Sequence, residues 1–297
     1  MSVLYGKVRI NGEAGQTIAI TTPTGQSRTI QTTGQSYTDV MLPGLEEYTL
    51  SNGTLSETVL LNIGDFQEVN LPVLTFETAT WQQVQEFIQA GNFSQLASIG
   101  DTKTFQVNNK TYHAEVVAIN DGTGSAGSWY PNKTVDFICK ELYETTYRYN
   151  ATNTNTGGFP SSEIKATLNN TIYPLLPSDL KNVIIDKSHS YQSGSYSSST
   201  WNSSMITLAT KLWLPTQYEI SGSTHTYAPG ETSSNNKAYT LASKIKNLNG
   251  ASSATYWWLG SPYSYDSTYF WLVNTGGYLN YDSASRAYGV PVCFRIG

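Results

Sequence analysis

The sequence predicts an α+β fold in which an N-terminal β-sandwich precedes a larger mixed domain. Three observations predict it. The 297 residues suggest two domains, at about 150 residues each. Residues 1–73 alternate apolar and polar positions in short runs broken by turn residues. From residue 74 to 297, helix-spaced apolar residues occur among strand-like runs.

In the first domain the runs LYGKVRI, TIAIT, EYTLS, LSETVLLNI and FQEVNLPV read as strands. Gly15, Gly25, Pro43-Gly44, Asn52-Gly53 and Gly64-Asp65 punctuate them at a spacing that suits a small sandwich. The pattern GKVRINGEAGQTIAI, LPGLEEYTLSNG and ETVLL resembles carboxypeptidase-regulatory-like, prealbumin-type (Ig-like) sandwiches, which serve as spacers in surface proteins. The resemblance implies attachment or spacing for residues 1–73.

Pro72 to Thr80 reads as the junction. Thr80 can cap a helix that carries Trp81, Val84, Phe87 and Ile88 on one face, and Gly91 can end it. Lys103–Val107 and Thr111–Asn120 flank Asn108-Asn109, whose residue types tolerate positive φ, and so predict a hairpin. Ile164, Leu168 and Ile172 predict a second helix from Ser162, stopped by Pro174. Residues 188–204 read as a long Ser/Tyr/Gly loop. KLWLPTQYEISG reads as a strand entering a short helix capped by Thr216, and residues 221–236 as another polar loop.

Composition excludes several function classes. Charged residues are 13% of the chain, about half the usual share. Lys+Arg 17 against Asp+Glu 22 gives a net charge of -5 without any basic run, which argues against nucleic acid. The apolar residues (39%) and a mean hydropathy of -0.32 suit a soluble chain with a sizeable core. No apolar stretch nears the roughly 18 residues of a membrane span, so no membrane insertion is expected. The N-terminus lacks the apolar run of a signal peptide. Cys139 and Cys293 form neither a disulfide framework nor a zinc motif and read as buried thiols. A hydroxyl- and amide-rich chain without a signal fits a phage particle, made in the cytoplasm and exposed after lysis. A bacterial cell surface is the alternative location.

The C-terminal region concentrates the chain's aromatic residues. YWWLGSP (Tyr256–Pro262), FWLV (Phe270–Val273) and GVPVCFRI (Gly289–Ile296) read as apolar strands. Between them YSYDSTY and GGYLNYDSASRAY read as loops dense in Tyr, Ser, Asp and Asn, with Arg286 their one basic residue. Tyr offers a stiff amphipathic surface, and short polar side chains adapt their hydrogen bonds to many partners. The candidate ligand-binding residues are therefore Tyr263, Tyr265, Asp266, Ser267, Tyr269, Tyr278, Asn280, Tyr281, Asp282, Ser283, Ser285, Arg286 and Tyr288. Trp257, Trp258, Leu259, Phe270, Trp271 and Val273 are the expected scaffold.

The segments GDTKTFQVNNKTYHAEVVAIND, NTGGFPSSEIKATLNNTIYPLLPSDLKNVI, KLWLPTQYEISG, YWWLGSP and GVPVCFRI follow one another in order over about residues 94–297. Together they resemble a domain of unknown function frequent in gut bacteria and their phages. That resemblance implies a C-type lectin-like (formylglycine-generating-enzyme-like) fold for residues 74–297. Two departures stand out: Gly260 replaces the Arg of the usual WWLRSP, and the usual GVRPAF ending is GVPVCF. The chain also resembles the variable proteins of phage diversity-generating retroelements. In those, adenine-directed mutagenesis of AAC codons leaves Tyr, Ser, Asp, Ala, Gly and Asn on a C-type lectin-like scaffold. The resemblance implies a variable region at about 256–297 that binds a surface protein or glycan of a target cell. It further implies attachment to a phage tail or virion through the N-terminal domain, and it is compatible with a homo-oligomer.

Catalytic motifs are weak. GTGSAG (Gly122–Gly127) matches a dinucleotide fingerprint but is followed by SWYP instead of a helix, and reads as a plain loop. His113, His189 and His225 lack metal spacing and read as surface or capped histidines. Glu141, Glu144 and Glu163 could pair for glycoside hydrolysis, but nothing selects them over solvated charges. Ser125 lacks a nucleophile elbow. The EPN, QPD and WND motifs of calcium-dependent lectins are missing, so a glycan would be bound without calcium. The sequons at Asn92, Asn132, Asn150 and Asn202 are explained by chance in so Asn- and Ser-rich a chain. No cofactor, metal or enzymatic activity is expected. The rival expectations are a formylglycine-generating or glycan-cleaving enzyme, and a decoration protein without a receptor.

Overall fold

The computed structural model describes every residue except 1–4, 12–14, 34–36, 45, 54, 71–73, 121–132, 195–203, 227, 229 and 233–236. The chain is mixed and strand-rich, with several sheets. It divides into two compact units, Met1–Thr75 and Phe76–Gly297.

The first unit holds β1 (Tyr5–Asn11), β2 (Thr17–Thr21), β3 (Ser27–Gln31), β4 (Tyr37–Pro43), β5 (Glu46–Ser51), β6 (Ser56–Leu61) and β7 (Phe66–Asn70). They form two sheets, ordered β4-β1-β7 and β3-β2-β5-β6. Alternate residues of both sheets, among them Val8, Ile10, Ile18, Ile20, Leu42, Leu50, Leu61 and Val69, share one core. That period of two is what the sequence displays. The strands β3 and β4 go beyond the runs read from sequence. The residues SRTIQ carry a single apolar side chain, and β4 alternates across a charged outward face where Asp39 accepts from Lys7 and Arg9, both at 2.8 Å.

The second unit contains α1 (Trp81–Ala90), β8 (Thr102–Val107), β9 (Lys110–Asn120), β10 (Thr134–Leu142), β11 (Tyr147–Arg148), α2 (Glu163–Ala166), α3 (Ser178–Val183), β12 (Ile184–Ile185), β13 (Lys187–Gln192), β14 (Met205–Thr210), α4 (Gln217–Ser221), β15 (Trp257–Pro262), β16 (Tyr269–Val273), β17 (Leu279–Ser283), β18 (Ala287–Tyr288) and β19 (Pro291–Ile296). The main sheet runs β12-β19-β10-β9-β8, and a second sheet runs β15-β16-β17. In α1, Thr80 and Gln83 make a reciprocal capping box, and Gly91 ends the helix at φ 79°. Trp81 then meets Phe105, Phe137 and Phe294 edge-on at 6.3, 6.1 and 6.0 Å. Asn108 and Asn109, at φ 51° and 60°, turn the β8–β9 hairpin.

Four expectations are corrected. The helix from Ser162 is regular only through Ala166, and a π turn follows over Thr167–Ile172. Asn169 supplies the reason. Its Nδ2 donates to the Lys165 carbonyl at 3.1 Å, four residues back, and to the Leu212 carbonyl at 3.0 Å. The turn widens to admit that side chain, and Pro174 sits in the 3-10 turn beyond. Second, residues 187–192 are strand β13, paired with β14 from Lys187↔Thr210 to Gln192↔Met205, where a loop was expected. Third, KLWL adds only an isolated bridge, Trp213↔Cys293, before the helix capped by Thr216. Fourth, the expected loop at 276–288 contains β17 and β18.

His189, expected as a surface or capped histidine, is buried on β13 and capped by Glu219, with Nε2 3.1 Å from its carboxylate. It joins a buried ionic cluster. Asp136 accepts from Arg295 at 2.6 and 2.9 Å and from Lys187 at 3.1 Å, and Lys187 also donates to Glu219 at 2.7 Å. Burial opposes ionisation of both carboxyls, but the neighbouring cations outweigh it and hold both below the usual range, Glu219 at about 2. The cluster ties β10, β13, α4 and β19 together.

Candidate ligand-binding face

The second sheet is a rigid base. Trp257, Trp258, Leu259, Phe270 and Val273 are fully buried, and Trp271 nearly so. The indole N–H of Trp257 donates to the Lys244 carbonyl at 2.9 Å and that of Trp258 to the Tyr147 carbonyl at 3.0 Å. Tyr149 lies flat against Phe270, and Trp258 stands edge-on to Tyr149 at 5.3 Å.

Strand alternation divides the candidate residues between two sides of this sheet. Tyr281 pairs with Trp271 and Ser283 with Tyr269, so these four share one side. Tyr263 joins that side, its ring 4.0 Å from Tyr281 at an interplanar angle of 16°. Asn280 and Asp282 pair with Leu272 and Phe270 and take the other side. There the Tyr288 hydroxyl donates to Asp282, and the Tyr288 ring packs on Trp258 at 5.0 Å. The candidate residues are therefore divided between an aromatic side that carries Tyr281 and a side on which Phe270 and Leu272 are fully buried.

Exposure separates the tyrosines further. Tyr265, Tyr278 and Tyr281 are 56%, 73% and 43% exposed. Tyr269 is half-buried. Tyr263, expected as a displayed anchor, is only 5% exposed because Tyr281, Tyr269 and Trp271 pack around its ring. Tyr288 is half-buried, its ring packed on Trp258 and Tyr256, and burial and the Asp282 carboxylate push its phenol up to about 12. Asp266 turns inward on its own loop, accepting from the backbone N–H of Thr268 at 2.7 Å. Ser267 and Ser285 are half-buried, and Arg286 is exposed.

The loop Tyr263–Thr268 is held chiefly through its backbone. Asn155 Nδ2 donates to the carbonyls of Asp266, Tyr269 and Tyr263 at 2.6, 2.9 and 3.3 Å. The Asn155 N–H donates to the Ser267 carbonyl at 2.7 Å, and the Ala284 N–H to the Thr268 carbonyl at 2.8 Å. None of these bonds depends on which side chains the loop carries. Asn155 was missed by sequence reasoning, because nothing local marks an asparagine that acts on residues more than a hundred positions away.

The edge of β17 has its own cover. Ladder bonds fall on even-numbered pairs, as Asn274 N–H to Tyr278 carbonyl and Ala284 N–H to Thr268 carbonyl show at either end. The N–H groups of Tyr281 and Ser283 therefore point away from β16. Asn280 Oδ1 and Asp282 Oδ1 accept from them at 2.9 and 2.7 Å.

The other candidates disperse. His113 lies on β9 with Nδ1 2.7 Å from Glu141, Glu144 pairs with Lys110 at 3.0 Å, and the Glu163 N–H donates to Asn150. Cys139 and Cys293 are free thiols whose burial pushes their ionisation up. Among the described residues no three His, Cys, Asp or Glu side chains group as metal ligands. GTGSAG and the sequons at Asn132 and Asn202 lie outside the described residues. Sequence reasoning also missed Glu231, a fully buried carboxyl that accepts from Ser261 at 2.6 Å. Burial, aided by the Glu219 charge, pushes it up to about 8 against the Ser261 hydrogen bond.

The signature of DUF6273, a domain of unknown function, matches residues 133–297, more than half of the chain. The chain belongs to the DUF6273 family. The matched span of this DUF6273 protein begins just before β10 and includes Asn155, the whole β15–β17 sheet and β19. No curated protein matches the chain. No helix among the described residues is long and apolar enough to cross a membrane.

Proposed function

We propose that this DUF6273 chain is an adhesion protein whose second unit, a C-type lectin-like scaffold, binds a surface protein or glycan of a target cell through tyrosines on the β15–β17 sheet. One observation carries the reading. Exposed Tyr281 stands on the buried rings of Tyr263 and Trp271, with exposed Tyr265 beside Tyr263, while the loop between β15 and β16 is tied down by its backbone. Such pre-organisation lowers the entropy lost on binding. It also suits a diversified protein of the retroelement type, because loop side chains can change without altering the anchoring bonds. A phage tail tip is the setting that fits, with the first unit as spacer. The two buried, ionisation-resistant thiols do not suit thiolate chemistry of the formylglycine-generating kind.

The test replaces Tyr265, Tyr278 and Tyr281 together by Ala and compares capture of bacterial envelopes by immobilised wild-type and variant chains. Loss of capture with a melting temperature lowered by no more than a few degrees is expected. Equal capture by the two chains would remove the reading. The coding DNA offers a separate check on diversification: a neighbouring reverse transcriptase, and a near-copy of the final segment differing at adenines.

A further inference from the structure

The aromatic side of the sheet has a definite geometry. Tyr263 and Tyr281 stack at 4.0 Å, Tyr269 and Tyr281 are nearly parallel (28°) at 5.7 Å, and Tyr263 and Tyr269 are 6.4 Å apart. Were Tyr269 on the far face of Tyr281, its distance from Tyr263 would approach the sum of the other two. It is much shorter, so Tyr269 lies beside Tyr281, and Tyr263 lies behind. Trp271 meets Tyr281 at 84°, as an edge contact. Tyr281 and Tyr269 thus form a platform two rings wide, and no other ring of the described residues covers the outer face of Tyr281.

We infer that this platform seats a neutral saccharide, with the apolar face of a sugar ring on the outer face of Tyr281 and the next unit over Tyr269. The inference rests on the recognition reading above and narrows it to one ligand class. Three observations favour a sugar. The side chains in register on this side, Ser283 opposite Tyr269 and Trp271 opposite Tyr281, are uncharged. The platform's two partly exposed rings, with at most about 250 Å² each to offer, fall short of the roughly 800 Å² per partner of a standard protein interface. Against the edge of the platform, the indole N–H of Trp271 is buried without a hydrogen-bond partner within the protein. A dry protein contact would seal that donor unpaired, whereas a ligand rich in hydroxyl groups, with its bound water, can supply a partner after a small side-chain movement. The tyrosine behind holds the contacting ring in place before any ligand arrives.

The experiment uses the full chain and bacterial envelopes treated with periodate, which cleaves sugar diols, or with a broad protease. Capture lost after periodate and retained after protease supports the inference. The reverse overturns it while leaving the recognition reading intact, and absence of capture by untreated envelopes removes both. Envelopes that respond as expected are followed by titration of a neutral oligosaccharide released from them, read by tryptophan fluorescence. Tyr281→Leu keeps apolar bulk but removes the ring, and should weaken binding about tenfold or more. Tyr281→Phe should bind nearly as wild type, because the face and not the hydroxyl makes the contact. Equal binding by the Leu variant and wild type would overturn the platform.

Discussion

The rings of Tyr263 and Tyr281 stack at 4.0 Å, yet the first is 5% exposed and the second 43%. One tyrosine is the support and the other the surface. Tyr263→Ala should cost about 3–5 kcal/mol, since it empties a packed site between Trp271 and Tyr281. Tyr281→Ala should cost about 1 kcal/mol or less in stability while weakening capture. Chemical denaturation of both variants checks the contrast, and equal losses would contradict it.

Asn155 carries the path of the loop. Asn155→Ala removes one amide that serves three carbonyls, and should destabilise by about 3 kcal/mol. Hydrogen exchange should quicken at the amides of residues 263–269 before it does in β10 or β19. Uniform exchange across the unit would mean that the loop is held by something else.

Glu231 makes a pH prediction with a definite sign. Its carboxyl titrates at about 8 in the folded chain against an ordinary 4.5, so the folded state holds a proton that the unfolded state releases. Its contribution to stability is full below about pH 4.5, falls as pH rises toward about 8, and is then constant. Glu231→Gln should match wild type in thermal denaturation near pH 4 and exceed it increasingly up to about pH 8. A constant difference would show that the carboxyl is ionised throughout. Glu219 acts in the opposite direction. Held at about 2, it stabilises at neutral pH, and that contribution fades only as pH falls from 4.5 toward 2.

Gly260 occupies the position of an Arg in the pattern the chain resembles. A Cβ there would collide with the Tyr191 ring and lie 2.8 Å from the Leu214 carbonyl. Tyr191 is fully buried and donates to that same carbonyl at 3.0 Å, so neither neighbour can yield cheaply. Gly260→Ala should lower stability by about 1–3 kcal/mol, measurable as a drop in melting temperature. The departure at 260 thus goes with the placement of Tyr191, deep in the unit.

What could be read in the sequence was local. Thr80 and Gln83 cap α1 from three residues apart, Asn108-Asn109 turn their own hairpin, and the first unit alternates because each strand faces one core. Partnership at long range was hidden. His189 looks like a loop residue until Glu219 is folded against it, and SHSYQ becomes a strand only because β14 pairs with it. Tyr263 and Tyr281 are the same residue type in similar polar surroundings, and only the packing of Trp271 and the course set by Asn155 assign them different roles. The paratope-like composition marked a segment but could not show its division, because a period of two sends neighbours such as Tyr281 and Asp282 to opposite sides.

The short bonds from Asn280 and Asp282 to the margin of β17 have a consequence for crowded settings. An incoming strand finds two of the donors it would need already engaged, so copies packed side by side gain little from fusing their sheets. Contact along this border is left to side chains, which can be exchanged singly with no backbone registry to preserve.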